Sequence, residues 1–125
     1  MGPDLCKTFI CFEKLFAIDC FVDYKLLSLQ LESRFMRAEK RTVNIDPGYL
    51  ELAKLVLAST KNFDHRVYLA KGIYADVQLR YHGGGFVANV WTYPDYKEEY
   101  VVNFFTKIRT TYLDELRKTP NRTDV

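Results

Sequence analysis

The stretch from Ile73 to Tyr81 constrains the fold more than any other part of this sequence, because its apolar and polar residues alternate without interruption. Apolar side chains at positions 73, 75, 77, 79 and 81 point one way, and the side chains that point the other way are Tyr74, Asp76, Gln78 and Arg80. A period of two is typical of a β-strand with one buried face. We therefore predict a strand whose second, polar face is open to solvent.

Glycines after this strand predict a hairpin. Gly83 and Gly84 can adopt the positive φ that a two-residue turn requires, and a second strand is predicted at Phe86–Trp91. A turn at these glycines sets a register in which apolar residues lie opposite one another, in the pairs Tyr81 with Phe86, Leu79 with Ala88, and Val77 with Val90.

A third strand, Arg66–Leu69, is predicted before the first. A three-residue turn at Ala70–Gly72 places apolar residues of these two strands opposite each other, Leu69 with Ile73 and Val67 with Ala75. The opposite face then combines one cation, one carboxylate and three aromatic rings, in Arg66, Asp76, Tyr68, Tyr74 and Trp91. This cluster is a candidate ligand-binding site, although a cross-strand Arg–Asp pair beside aromatic rings is also typical of an ordinary solvated sheet face.

Further strands are predicted closer to the N-terminus. Cys6–Phe12 and Thr42–Ile45 are rich in β-forming residues. Leu55–Ala58 is apolar at every position, as in a central strand that is covered on both faces. The segment Asp46–Gly48, with Pro47 at its centre, predicts a tight turn.

Two amphipathic helices complete the predicted elements. The first runs from Asp19 to Ala38, with an apolar stripe at helical spacing that includes Tyr24, Leu27, Leu31 and Phe35. The second follows Asp95, which as N-cap forms a capping box with Glu98. Its apolar residues recur every four positions, at Tyr100, Phe104, Ile108, Tyr112 and Leu116, with Val101 and Phe105 beside them.

Together these elements predict an α+β fold, with a mostly antiparallel sheet of five to six strands and the two amphipathic helices packed on it. The length of 125 residues suits one domain. We predict a single domain over residues 1–118, followed by a polar tail at residues 119–125.

A polar loop follows the predicted central strand, and sites often lie on loops held by a rigid strand. Ser59–His65 combines hydroxyl groups, the ammonium of Lys61, the carboxylate of Asp64 and the imidazole of His65. A ligand site is one interpretation of this loop. The other is a surface loop in which His65 forms a hydrogen bond with its neighbouring carboxylate.

Composition and missing motifs limit the functional classes. The net charge of +2 makes nucleic-acid binding unlikely without excluding it, since a local basic patch would suffice. No apolar run is long enough for a membrane span, and three cysteines in no zinc-binding pattern predict reduced thiols in the cytoplasm. A P-loop, a nucleophile elbow and a His-rich cluster are all missing from the sequence, so no cofactor or metal site is evident.

Four blocks of the sequence resemble the prokaryotic family called domain of unknown function 4416. They are Asn44–Tyr49, Thr60–Leu69, Gly72–Asp76 and Trp91–Tyr96, and Lys7–Glu32 is also similar to the family. Asp76 stands where the family commonly has Glu, which keeps the charge and shortens the reach. The resemblance implies no activity, and it implies that the chain is short at its N-terminus, where the family has an additional strand region.

Three functions remain open from the sequence. One is a binding module for a small phosphorylated or otherwise anionic ligand, held by Lys61, His65 and Arg66 with aromatic rings nearby. Another is an enzyme that uses acid–base chemistry, with Asp46 or Asp95 as base and His65 as proton carrier. The last is a non-catalytic interaction domain that buries aromatic surface against a partner or a second copy, as a homo-oligomer.

Overall fold

The structure, a computed structural model, describes residues 5–119 and contains two α-helices and five strands. A 3-10 helix at Ile18–Cys20 leads into helix α1, Phe21–Arg34. The strands are β1, Gly48–Leu50; β2, Lys54–Ser59; β3, Arg66–Ala70; β4, Ile73–His82; and β5, Gly85–Ala88. A second 3-10 helix at Pro94–Lys97 precedes helix α2, Glu99–Lys118. Of the predicted tail, only Thr119 lies within the described residues.

The strands form one antiparallel sheet in the order β1-β2-β4-β3, with β5 also paired to β4. The predicted α+β class is therefore confirmed. Two predicted strands are wrong, because residues 6–12 and 42–45 are not in strands. β1 begins at Gly48, the last residue of the segment predicted as a tight turn, and Asp46 and Pro47 before it are in no helix or strand. A β-rich composition yields a strand only where a neighbouring strand supplies hydrogen bonds.

The chain divides into two compact units. Unit 1 holds the residues up to Gly48 together with Leu57–Ala75, and unit 2 holds Tyr49–Val56 together with the residues from Asp76 onward. Unit 1 thus contains α1 and β3, whereas unit 2 contains β5, α2 and the last two residues of β1.

The β4–β5 hairpin forms as the glycines predicted. Gly83 and Gly84 have φ values of +63° and +86°, so both occupy the left-handed region that a two-residue hairpin turn requires. Tyr81 pairs with Phe86 and Leu79 with Ala88, which confirms two of the three predicted pairs. The third is wrong, because β5 ends at Ala88 and Val90 lies exposed beyond it.

The connection before β4 is shorter than predicted. β3 extends to Ala70 and β4 begins at Ile73, so two residues form the turn instead of three. Lys71 and Gly72 have φ values of +53° and +80°. Positive φ at both positions is the geometry of a type I′ hairpin turn, which matches the twist of the strands it joins.

Burial along β4 differs from the predicted alternation. Ile73 and Leu79 are buried, but so are Asp76 and Gln78 from the face predicted to be open to solvent. The polar face prediction is therefore wrong at these two residues. β2 behaves as predicted, since Leu55–Ala58 is buried throughout and β2 has a strand on each side.

Helix α2 begins later than the capping box predicted. Its first residue is Glu99, Asp95 lies in the preceding 3-10 helix, and Glu98 at the N-cap makes no side-chain capping bond. The amides of Val101 and Val102 donate to the backbone carbonyl of Glu98 instead. The buried residues of the helix are Val101, Phe105 and Leu116, so its buried face is turned away from the exposed Tyr100.

Helix α1 buries a face that its apolar pattern did not predict. The buried residues are Phe21, Lys25, Ser28 and Glu32, whereas the predicted stripe residues Tyr24, Leu27 and Phe35 are exposed. Glu32 has a structural partner, since its Oε2 accepts a hydrogen bond of 2.7 Å from the backbone amide of Ile45. This contact fixes the chain that follows the helix.

In the described part of the chain, neither α1 nor α2 combines the length and apolar character that spanning a lipid bilayer requires.

The Glu32 contact predicts a loss of stability on mutation. Glu32→Ala leaves the Ile45 amide without its acceptor, and we expect the free energy of unfolding to fall by about 1–3 kcal/mol. Glu32→Gln keeps an acceptor oxygen and should cost less. Urea denaturation measures both changes, with Gln30→Ala on the exposed side of α1 as control. Equal losses for Glu32→Ala and Gln30→Ala would contradict this role.

Tyr49 on β1 gives a second prediction, for alkaline pH. Burial raises the pKa of its phenol above the ordinary 10.0, with the Lys54 ammonium lowering that pKa and the Glu51 carboxylate raising it. Above pH 10.0 the unfolded phenol loses its proton while the folded one retains it, so stability falls as the pH rises through the folded pKa.

Tyr49→Phe removes this ionisation. We expect urea denaturation across this alkaline range to show a shallower decline in the free energy of unfolding for Tyr49→Phe than for the wild type. Tyr100→Phe, at an exposed position, is the matched control and should keep the wild-type decline. Identical slopes for Tyr49→Phe and the wild type would rule out the contribution of Tyr49.

Candidate functional site

The candidate site in unit 1 is the loop between β2 and β3 together with the strand ends Ser59 and Arg66 that flank it, and we call residues 59–66 the basic loop. It holds three of the residues predicted to bind a ligand, Lys61, His65 and Arg66. The loop starts from β2, whose Leu55–Ala58 segment is buried, so its first residue is held in place by a rigid strand.

Local hydrogen bonds fold the basic loop back on itself. The hydroxyl of Ser59 accepts a hydrogen bond from the Lys61 amide at 3.2 Å. The Arg66 amide donates to the carbonyl of Phe63 at 3.1 Å. The Arg66 guanidinium donates through Nη1 to the carbonyl of Lys61 at 3.1 Å. The guanidinium of Arg66 therefore lies against the backbone of Lys61.

The charged side chains of the basic loop differ in their exposure and in their contacts. Lys61 is exposed, and within residues 5–119 no hydrogen bond or ion pair involves its ammonium. His65 Nδ1 lies 3.2 Å from Oδ1 of Asp64, with the imidazole side chain 12% exposed and the carboxylate side chain 86% exposed. The ring of Phe63 lies 5.3 Å from the imidazole, centre to centre. The histidine is thus held between a ring and a carboxylate.

Tyr68 and Tyr74, two further predicted ligand-binding residues in unit 1, are in contact. Their ring centres are 5.3 Å apart in an edge-to-face arrangement. The phenol oxygen of Tyr68 also accepts a hydrogen bond of 3.2 Å from the amide of Gly72. The predicted proximity of these two rings is therefore present in the structure.

Asp46, a predicted catalytic base, lies exposed in unit 1. Its Oδ2 accepts a hydrogen bond of 3.0 Å from the side-chain amide of Asn44, whose carbonyl oxygen in turn accepts one of 3.0 Å from Arg41. These contacts lie within the segment that precedes β1. They give Asp46 a role in the local conformation of that segment.

The remaining predicted site residues, Asp76, Trp91 and Asp95, belong to unit 2. Asp95 is exposed in the 3-10 helix before α2. Trp91 lies beyond the end of β5, so its predicted place on a strand is wrong. The residues of the predicted aromatic and charged cluster are thus divided between the two units, with Arg66, Tyr68 and Tyr74 in unit 1.

Asp76 lies in a buried polar network. It is 2% exposed, and its Oδ1 accepts a hydrogen bond of 2.8 Å from Nε2 of Gln78, which is fully buried. The Gln78 carbonyl oxygen Oε1 accepts a hydrogen bond of 2.9 Å from the amide of Tyr93. The carboxylate therefore faces protein groups, which explains why the solvated face predicted for β4 was wrong.

The segment after β5 supplies the rest of this network. Thr92 donates its hydroxyl to the carbonyl of Gln78 at 2.6 Å and accepts from the amide of Asn89 at 2.7 Å. The Asn89 side chain and the Trp91 indole both donate to the carbonyl of Val77, at 3.0 and 2.7 Å. Arg80 donates through Nε to the Asn89 side chain at 2.6 Å.

Sequence reasoning missed Gln78, Asn89 and Thr92 as members of a network. One signal was available, because Asn89 lies inside the run Phe86–Trp91 that was predicted as a strand, and Thr92 follows directly after it. All four side chains from Asp76, Gln78, Asn89 and Thr92 are buried and bonded to protein groups, so the network acts as part of the core of unit 2.

Metal binding has no candidate among the described residues, since no three or more His, Cys, Asp or Glu side chains are grouped there in a way that could hold an ion.

The buried network predicts that Thr92→Val is destabilising. Valine has a similar shape but removes a donor to the Gln78 carbonyl and an acceptor for the Asn89 amide, and we expect a loss of about 1–3 kcal/mol in the free energy of unfolding. Thr110→Val on the exposed surface of α2 is the matched control, and its effect should stay within about 0.5 kcal/mol. Thermal and urea denaturation that give equal effects for both variants would contradict the structural role.

Comparison with known proteins identifies a family and nothing more specific. No curated protein and no solved structure matches the chain. The family model described as Domain of unknown function (DUF4416) matches residues 1–112 of the 125 residues, which confirms the resemblance seen in the sequence blocks. The chain therefore belongs to the DUF4416 family.

Proposed function

We propose that the protein binds a small anionic ligand, carrying a phosphate or a carboxylate, at the basic loop. The observation that carries this proposal is the hydrogen bond from Arg66 Nη1 to the carbonyl of Lys61, which holds a guanidinium beside the residue that bears an exposed ammonium. Two cations on one rigidly anchored loop attract an anion more strongly than either does alone.

The two cations have complementary chemistry. A guanidinium offers planar, paired donors that suit the oxygen atoms of a phosphate or carboxylate, whereas an ammonium acts as a compact charge on a flexible stem. Lys61 can therefore turn toward an anion that Arg66 orients. His65 adds a third positive charge when its imidazole is protonated.

Asp64 opposes the proposed binding. Its carboxylate is exposed beside His65 and repels an anion at the same loop. The loop of residues 59–66 carries two permanent cations and this one carboxylate, so its local charge stays positive. Removal of the Asp64 carboxylate should therefore strengthen the binding of an anion.

Substitutions in the basic loop test this function. We expect Lys61→Gln and Arg66→Gln each to weaken binding of inorganic phosphate by roughly three- to tenfold, because each removes one cation near a surface. Asp64→Asn should strengthen it by a few fold. Chemical-shift titration of the backbone amides with inorganic phosphate at low ionic strength measures the dissociation constants, since salt screens such contacts.

Lys107→Gln is the matched control, because Lys107 is exposed on α2 and the substitution makes the same change in net charge. Its phosphate affinity should stay at the wild-type value. The proposal fails if phosphate leaves the amides of the basic loop unshifted, or if Lys107→Gln weakens binding as much as Lys61→Gln does. A sugar phosphate titrated in the same way tests whether the ligand extends beyond the anion.

A further inference from the structure

Strand β3 forms one edge of the sheet in the described part of the chain, and its central side chains are exposed. In the strand order β1-β2-β4-β3, β3 stands at one end, so within the described residues it has a strand neighbour on one side only. Its three central residues are apolar or aromatic and exposed, with Val67 at 67%, Tyr68 at 57% and Leu69 at 42%. Because neighbouring side chains of a strand point to opposite faces, both faces of β3 are open.

The other end of the sheet is better protected. β1 has only three residues, and Tyr49 and Leu50 are half-buried. Proteins usually protect a sheet edge with a short strand, with inward charges or with proline, because an exposed edge pairs with other strands. The central three residues of β3 carry none of these features, which makes β3 the edge of the sheet most open to strand addition.

We propose that β3 pairs with β3 of a second copy of this chain, antiparallel and about a two-fold axis at Tyr68. The backbone groups of alternate residues along an edge strand face outward, so they can form hydrogen bonds with an added strand. A two-fold axis at this residue places each Tyr68 opposite the other, and places Val67 opposite Leu69 of the second copy. Apolar side chains then meet apolar side chains on both faces.

The charges around β3 allow this pairing. No carboxylate occurs from His65 to Ala75, and the cations at the two ends of the strand each have a partner in their own copy. Arg66 donates to the carbonyl of Lys61, and the Lys71 ammonium lies 3.2 Å from a carboxylate oxygen of Asp23. The ring of Tyr74, in contact with Tyr68, would extend the aromatic contact at the axis.

The small area that β3 can bury limits the stability of the dimer. β3 has five residues, and one added strand of that length buries less than the roughly 1,200 Å² of small specific interfaces. The dimer should therefore be weak and form at high protein concentration. This pairing goes beyond the proposed anion binding, because it uses backbone and apolar groups of β3 in place of the cations of the basic loop.

Sedimentation velocity of the full chain over a roughly hundredfold range of concentration tests the pairing. The wild type should show reversible monomer–dimer exchange. Tyr68→Lys and Tyr68→Glu should each weaken association by at least about tenfold, because like charges then lie directly opposite each other. Tyr100→Lys, the same substitution at an exposed position on α2, should associate like the wild type.

An equimolar mixture of the two Tyr68 variants tests the axis itself. Lysine then faces glutamate across the two-fold, so the mixture should associate more tightly than either variant alone. Hydrogen exchange of the wild type tests the same edge without mutation, since protection of amides in β3 should rise with protein concentration. A monomer at every concentration, a Tyr68→Lys variant that associates like the wild type, or a mixture that stays monomeric would each overturn the proposal.

Discussion

The backbone carbonyls of β4 that lie beyond the end of β5 determine the path of the chain in unit 2. β5 pairs with β4 from His82–Gly85 to Leu79–Ala88 and stops there. A buried backbone acceptor without a partner is costly, so the carbonyls of Val77 and Gln78 need donors from elsewhere. Asn89, Trp91 and Thr92 supply them from their side chains. Beyond the end of β5, side chains therefore supply the hydrogen-bond donors that a paired strand would otherwise supply.

These side-chain contacts, which take the place of strand pairing, also explain where α2 begins. The side chain of Gln78 accepts the amide of Tyr93, which fixes the chain just before Pro94. The following 3-10 helix brings in Tyr96, which is buried and stacks on Phe105 at 6.0 Å between ring centres. A helix beginning near Asp95, as a capping box requires, conflicts with this path. Glu99 is the first helical residue because buried contacts outweigh a local capping preference.

The parts of the fold that the sequence predicts correctly are those with local causes. The β4–β5 hairpin depends on two adjacent glycines, and the central strand β2 on four consecutive apolar residues. The buried face of α1 depends instead on tertiary contacts, such as that of Glu32 with the Ile45 amide, which override an apolar stripe containing Leu27. The periodicity of the sequence carries no trace of those contacts, so neither the buried face of α1 nor the burial of Asp76 could be predicted.

The difference between local causes and tertiary contacts also separates the candidate site from the buried network. Lys61 and Arg66 lie five positions apart in the basic loop, and the Arg66 guanidinium donates to the Lys61 carbonyl, so their proximity has a local cause. Asp76 looked equally available in a strand with alternating residues, but a carboxylate that is 2% exposed must have its partners within the protein. An exposed ammonium can exchange its bound water for a ligand at a small cost in free energy. A buried carboxylate must first lose the hydrogen bonds that stabilise the core. We therefore assign the proposed binding to the basic loop and Asp76 to the buried network.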